Sequence, residues 1–284
     1  MKIAYFGLGK MGIGPALILQ QAGNEVHTAV HRSREGAERL AALGGVIDAS
    51  PEEAVRGADF IMSIVPDDAA LTGLFLNEKM LSALQPGQLL IEMTSCSADA
   101  VQKVQKALAE KGVSVLDAPV SGGTAAANNG TMTMLCAGAK EDFERAEPLL
   151  RTVGKDIFFL SETVGDGKKI KSLNNLLNAV DRVAAGEVFR ISKANGLDPD
   201  KVYEAISAAS GNSVGFRLTW PRLISGDFEA TFTVAHMRKD VNLARDLAKE
   251  AGLSSPIADI TGEYYEKARP YDGEDSSAAA KVEL

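Results

Sequence analysis

Short apolar runs alternate with helical stretches through the first half of the chain. Ile3–Phe6, Val26–Val30, Phe60–Val65, Leu89–Met93 and Val113–Val120 read as strands that are apolar on both faces. Between them apolar positions return every three or four residues, predicting helices up to about Gln21, over Glu35–Leu43, over Ala69–Leu84 and over Ala98–Lys111, the last opened by Ser97 as N-cap. Strands of this kind separated by helices predict a parallel sheet covered on both sides. Thr131–Cys136 and Ile157–Leu160 read as further strands closing the same domain.

The rhythm stops near Gly165. From Asp166 to Asn195 there is no proline, and Ile170, Leu173, Leu177, Val180, Ala184, Val188 and Ile191 recur at helical spacing. At 1.5 Å per residue this predicts a helix of roughly 45 Å. Asn195-Gly196 supplies its stop, and Asp198-Pro199 opens the next helix as N-cap and first-turn proline. Lys201–Ala209, Val241–Ala251 and Ile257–Ala268 also read as helix, whereas Glu274–Ala280 is small and polar and reads as a frayed end. The fold class expected is α/β: a Rossmann-type domain over residues 1–163, then an all-α domain over 164–284, linked by the long helix.

Composition narrows the partners. Thirty basic against 38 acidic residues give a formal charge of −8, which opposes attraction to nucleic acid or to an anionic membrane. No stretch approaches eighteen uninterrupted apolar residues, and the first residues run directly into a glycine loop without a signal-peptide core, so a cytoplasmic protein is expected. The two cysteines, Cys96 and Cys136, form no CxxC pair and no Cys/His metal spacing; two reduced thiols and no metal are expected.

Gly7-Leu8-Gly9-Lys10-Met11-Gly12 lies between the first strand and the first helix. In a dinucleotide fold the first glycine makes the tight turn, the second lets the backbone approach the pyrophosphate, and the third allows close helix–strand packing. About twenty residues on, an NAD site places an acid on the ribose 2′-hydroxyl. Here the second strand ends in Val30-His31-Arg32-Ser33. An arginine beside a hydroxyl suits a 2′-phosphate, so NADPH is favoured over NAD, with the contact left open among His31, Arg32 and Ser33.

Asp117-Ala118-Pro119-Val120-Ser121-Gly122-Gly123 follows a strand and is more specific. Together with Gly165-Asp166-Gly167, Lys171, Asn174-Asn175, Phe232 and Lys239-Asp240, it makes the chain resemble, over essentially its whole length, the β-hydroxyacid dehydrogenase family. That family includes 3-hydroxyisobutyrate dehydrogenase, tartronate semialdehyde reductase and glyoxylate/succinic semialdehyde reductases. The resemblance implies that Ser121, Gly122 and Gly123 hold a substrate carboxylate, that Lys171 is the catalytic acid/base, and that Asn175 positions substrate beside it. It further implies cofactor contacts from Val65-Pro66, Thr94-Ser95 and Lys239. Spacing alone does not choose Lys171 over Lys168, one turn earlier on nearly the same stripe. Two positions depart from the family pattern: Gly14 stands where proline is usual, and Glu92 where aspartate is usual.

The function expected is NADPH-dependent interconversion of a short aldehyde acid and its hydroxy acid, in a cleft between the sheet's carboxyl edge and the long helix. The alternatives are an NAD-dependent 3-hydroxyisobutyrate-type dehydrogenase working oxidatively and, in a different class, a non-catalytic NADPH-binding module. The resemblance also implies that residues 1–163 bind the dinucleotide and that the all-α domain, 164–284, serves substrate binding and dimerisation, in a homodimer or homotetramer. Ser213–Arg222, read as lying between helices, carries Arg217, Trp220 and Arg222; it is either ordinary packing or a segment closing over an anionic substrate tail.

Overall fold

The computed structural model describes residues 1–31 and 34–284. Arg32 and Ser33, two of the three residues considered for the 2′-phosphate, lie outside the described residues. The chain divides into two compact units, Met1–Lys171 and Ser172–Leu284.

The first unit runs β1 (Lys2–Phe6), α1 (Ile13–Gln21), β2 (Glu25–Ala29), α2 (Glu35–Ala41), β3 (Val46–Asp48), α3 (Pro51–Val55), β4 (Phe60–Ser63), α4 (Asp68–Phe75), α5 (Glu78–Ala83), β5 (Leu89–Glu92) and α6 (Ala98–Ala109). It continues with β6 (Ser114–Asp117), β7 (Val120–Ser121), α7 (Gly123–Asn129), β8 (Met132–Ala137), α8 (Lys140–Val153) and β9 (Gly154–Ser161). The sheet order is β3-β2-β1-β4-β5-β6-β8-β7, with β9 also paired to β8. Neighbours from β3 through β6 are parallel, β8 runs antiparallel to β6 and β7, and β9 is parallel to β8. The parallel core is as expected from strands apolar on both faces; the sheet as a whole is mixed.

The period-two alternation of buried strands builds two cores. Ile3, Tyr5, Met62, Leu89, Ile91 and Leu116 face one way, with Ala16 and Leu19 of α1 and Leu149 and Leu150 of α8. Ala4, Phe6, Ile61, Leu90 and Val115 face the other, against Leu71, Phe75, Val101 and Val104 of α4 and α6. Ser97 caps α6, its Oγ accepting from Ala100 N. Ala69–Leu84 is two helices, because the Asn77 side chain caps a new start by accepting from Met80 N. Val113–Val120 is two strands flanking Ala118-Pro119, consistent with proline having no N–H to give a ladder.

The second unit is helical: the remainder of α9 (Asp166–Ala194), then α10 (Pro199–Ala208), α11 (Val214–Ser225), α12 (Val234–Glu250) and α13 (Pro256–Lys267). Helix α9 closes on Gly196, at φ +69°, with Gly196 N donating to Lys193 O and Leu197 N to Ser192 O, the paired bonds of a Schellman stop. Asp198 caps α10 as expected, accepting from the backbone N–H groups of Asp200 and Lys201.

Two further expectations are corrected. Ser213–Arg222 is not a connection: it is capped by Ser213 and forms most of α11. Trp220 is fully buried, packs on Phe189 and Phe216, and donates its Nε1 proton to Pro199 O. Arg222 donates to Asp227 O and Glu229 O, and only Arg217 of the three is exposed. Nor does the tail fray. Ser276–Lys281 is a 3-10 turn whose Ser276–Ala280 are buried, its small residues passing so close to α9 that a Cβ on Gly186 would collide with Ala280. Asp275 anchors it, accepting from Ser277 N, Thr231 Oγ1 and Arg182, which also donates to Ser277 Oγ.

No helix among the described residues is long and apolar enough to cross a membrane. Cys96 and Cys136 are free and buried, and burial pushes the Cys136 thiol up to about 12.

Candidate active site

The glycine loop leaves β1 at the sheet's topological switch point, where β1 stands between β2 and β4. Gly7 has φ +96°, and a Cβ there would overlap the Ile64 carbonyl; one on Gly12 would overlap the carbonyl of Gly7. Neither position admits a side chain. Gly9 differs, since nothing lies within 4 Å of where its Cβ would stand, and its carbonyl accepts from Gly12 N and Ile13 N as α1 begins. The loop is therefore tight where it packs and open where a pyrophosphate would approach, so these residues fit a dinucleotide. Gly14 has a packing reason as well: a Cβ there would stand 2.7 Å from the Ala127 carbonyl of α7, which leaves no room for a proline ring. Leu8, Lys10 and Met11 lie in this loop, and His31 is exposed just past β2.

The carboxyl ends of β4, β5 and β6 carry a connected polar chain. Val65 N donates to Thr94 Oγ1 (3.0 Å), Thr94 N to Glu92 Oε1 (2.9 Å), and Ser63 Oγ to the same oxygen. Lys168, only 1% exposed, donates to Glu92 O (2.9 Å) and forms ion pairs with Glu92 Oε2 (2.6 Å) and Asp117 Oδ1 (2.8 Å). Asp117 Oδ2 in turn accepts from Gly165 N and Lys168 N at the start of α9. Burial opposes the Lys168 charge, but Asp117 and Glu92 prevail and raise its pKa above the ordinary lysine value. Asp68 ties the next loops together, accepting from Ser97 N and Ser97 Oγ. Pro66 and Ser95 stand on those loops, the first exposed and the second half-buried.

Ser121 ends β7, paired with Thr133 of β8, and Gly122 and Gly123 follow at φ +126° and +68°, values suited to glycine. Lys171 lies on α9 and is 8% exposed. In the second unit Asn175 Nδ2 donates to Asp240 Oδ2 (2.6 Å), and its Oδ1 accepts from Asn174 Nδ2. Lys239 Nζ lies 3.2 Å from Asp240 Oδ1, so one buried carboxylate brings Asn175 and Lys239 together. Sequence reading assigned no role to Asp240 or to the Glu92–Lys168–Asp117 cluster. The only signal for the cluster is an acid at the last position of two adjacent strands and a lysine in the first turn of α9.

Two family models cover the chain: the NAD-binding domain of 6-phosphogluconate dehydrogenase over residues 2–161, and the NAD-binding domain of NADP-dependent 3-hydroxyisobutyrate dehydrogenase over 165–284. L-threonate dehydrogenase of Cupriavidus necator is 34% identical, aligned over 99% of this chain and 95% of the relative. The chain belongs to the β-hydroxyacid dehydrogenase family. A further relative of this family is the NAD-dependent L-serine dehydrogenase of Pseudomonas aeruginosa, 33% identical over 93% of this chain and 91% of its own. Among solved structures, 3-hydroxyisobutyrate dehydrogenase from Salmonella typhimurium superposes with a TM-score of 0.90 at 28% identity, covering 99% of both chains. As a β-hydroxyacid dehydrogenase the chain is an NAD(P)-dependent oxidoreductase with a Rossmann-type domain followed by a helical one.

Proposed function

We propose that the protein reduces a short aldehyde acid to its hydroxy acid with NADPH, Lys171 serving as the proton donor. The observation that carries the lysine assignment is the fate of its neighbour. Of the two lysines sharing that stripe of α9, Lys168 has its ammonium held by Glu92 and Asp117 inside the first unit. A lysine ammonium, with an ordinary pKa near 10.4, is protonated at neutral pH and can donate to a carbonyl oxygen as it gains negative charge. Bound NADPH would supply the hydride. Gly7–Gly12 would cradle its pyrophosphate, Val65-Pro66, Thr94-Ser95 and Lys239 would border it, and Arg32, with His31 and Ser33, would meet its 2′-phosphate. Ser121, Gly122 and Gly123 would hold the substrate carboxylate, and Asn175, oriented by Asp240, would position the substrate.

NADPH consumption with glyoxylate, succinic semialdehyde and tartronate semialdehyde tests this reading. Turnover that is lost in Lys171→Ala while NADPH binding persists is expected. Tight NADPH binding with no turnover across the panel would leave a non-catalytic module. The relative named an NAD-dependent dehydrogenase favours a second reading, oxidation of a hydroxy acid with NAD. The ratio of kcat/KM for NADPH and NADH decides between them, and Arg32→Asp should lower that ratio by placing a like charge against the phosphate.

The same reading includes a homodimer or homotetramer assembled through the helical unit. Support comes from the periodic stripe of α9: Leu173, Leu177, Ala184, Val188 and Ile191 are exposed, Leu177 by 66%, while the opposite side, with Ala179, Val183, Ala185 and Phe189, is buried. An apolar stripe of this length left open on one chain suits a second copy of it.

A further inference from the structure

Lys168, Glu92 and Asp117 are three buried charges in a unit whose proposed chemistry uses none of them. Their contacts are directional. The ammonium reaches the last backbone carbonyl of β5 and the carboxylates ending β5 and β6, while Asp117 accepts two backbone N–H groups at the start of α9. Gly167 lets that turn sit directly on the sheet edge, since a Cβ there would stand 2.9 Å from Asp117 Oδ2. Asp166 adds a second tie, held ionised below the usual carboxylate range by Ser161 Oγ (2.7 Å) and by Lys169 (2.9 Å). On its other side, Glu92 holds Thr94 N, and Thr94 Oγ1 holds Val65 N. One unbroken polar chain therefore joins the loops after β4 and β5 to the helical turn that leads into Lys171.

We propose that Lys168 is a positioning residue for the reaction: its ammonium, clamped between Glu92 and Asp117, sets the phase and height of the first turn of α9 and thereby the place of Lys171. The inference rests on the proposed role of Lys171 and names the residue through which that role is held. A hydrophobic anchor could fix the helix as firmly, but it would leave two buried carboxylates facing each other. Only a cation joins both strand ends and the helix at one atom. Lys168 itself does not touch the reacting atoms, so its loss acts by misplacement, and a displacement of about 1 Å is enough to slow a reaction by up to about a hundredfold.

The test compares wild type with Lys168→Met/Glu92→Gln, which removes one charge of each sign, and with Glu92→Asp, which keeps every charge and withdraws one carboxylate by a methylene. Three quantities are read on the full chain: kcat with KM for the aldehyde, the pH profile of kcat, and hydrogen exchange of the segment 166–171. At saturating NADPH, kcat of the folded double variant should fall about tenfold or more, with KM for the aldehyde held within about threefold. The limb of the pH profile belonging to Lys171 should move, and exchange of 166–171 should accelerate. Wild-type kcat, or wild-type exchange in that segment, overturns the proposal. Should the double variant not fold, Glu92→Asp carries the same readouts in the same direction, and wild-type values there overturn it equally. If the wild-type protein reduces no aldehyde of the panel, the proposed reaction fails, while the exchange data still decide whether Lys168 positions the turn.

Discussion

Replacing Asp275 with alanine removes the acceptor on which the C-terminal tail and two arginines converge. Arg182 is buried, and its guanidinium faces Asp275 Oδ1 at 3.3 Å; Arg222 lies 3.7 Å from the same oxygen. Asp275 also accepts from Ser277 N at 3.0 Å and from Thr231 Oγ1 at 2.7 Å. Burial opposes its charge, yet the Ser277 N–H, the Thr231 hydroxyl and Arg182 hold its carboxyl below the usual range. Removing one partner of a buried pair costs about 3–5 kcal/mol, because the other charge stays behind unpaired. Spread over a helical unit of this size, that loss should lower its melting temperature by roughly 10–20 °C. Calorimetry reads the shift, and hydrogen exchange should show the loss at 276–281 and along the face of α9 they cover. Arg182→Met in the Asp275→Ala background should recover part of the stability, since it removes the stranded cation. A melting temperature unchanged by Asp275→Ala would refute the picture of a tail held by charge.

Three further outcomes are expected. Gly12→Ala should abolish binding of the nicotinamide cofactor, measured by fluorescence titration with NADPH and NADH, because its Cβ would overlap the Gly7 carbonyl and displace the loop. The stability difference between wild type and Lys168→Met should hold from neutral pH to about pH 10 and shrink above it: a lysine whose folded pKa is raised stabilises fully below its unfolded value of about 10.4 and loses the effect as pH rises through the folded value. Leu177→Glu with Ile191→Glu should convert an oligomer to monomer in light scattering while leaving the fold intact, as both side chains are more than half exposed in one chain.

Much of the fold was legible because its signals are local. Strands buried on both faces read as continuous apolar runs, and Ser97, Asp198 and Gly196 mark helix ends through backbone chemistry that needs no tertiary partner. What was missed or misread has less local signals. Val46–Asp48 is a three-residue, half-buried strand, too short to show a period, and α8 carries Pro148 within an amphipathic run. The run Ser276–Ala280 looks disordered by composition, yet its small side chains are what let it lie against Gly186. Smallness in a sequence is the same signal whether a segment is solvated or packed where nothing larger fits; only the partner tells which.

The site divides in the same way. Gly7, Gly9 and Gly12 are readable because a phosphate-binding turn imposes its glycines on adjacent residues. That Lys168 is held at the sheet edge is not, since it shares one stripe with Lys171 and nothing in their spacing tells the two apart. What distinguishes them is 76 residues and 51 residues away in the chain, where Glu92 and Asp117 end neighbouring strands. Parallel pairing aligns Glu92 with Asp117 directly, and two adjacent carboxylates in a buried sheet edge demand a cation. The strand register thus selects the lysine it consumes, and it does so through a contact that no window of the sequence contains.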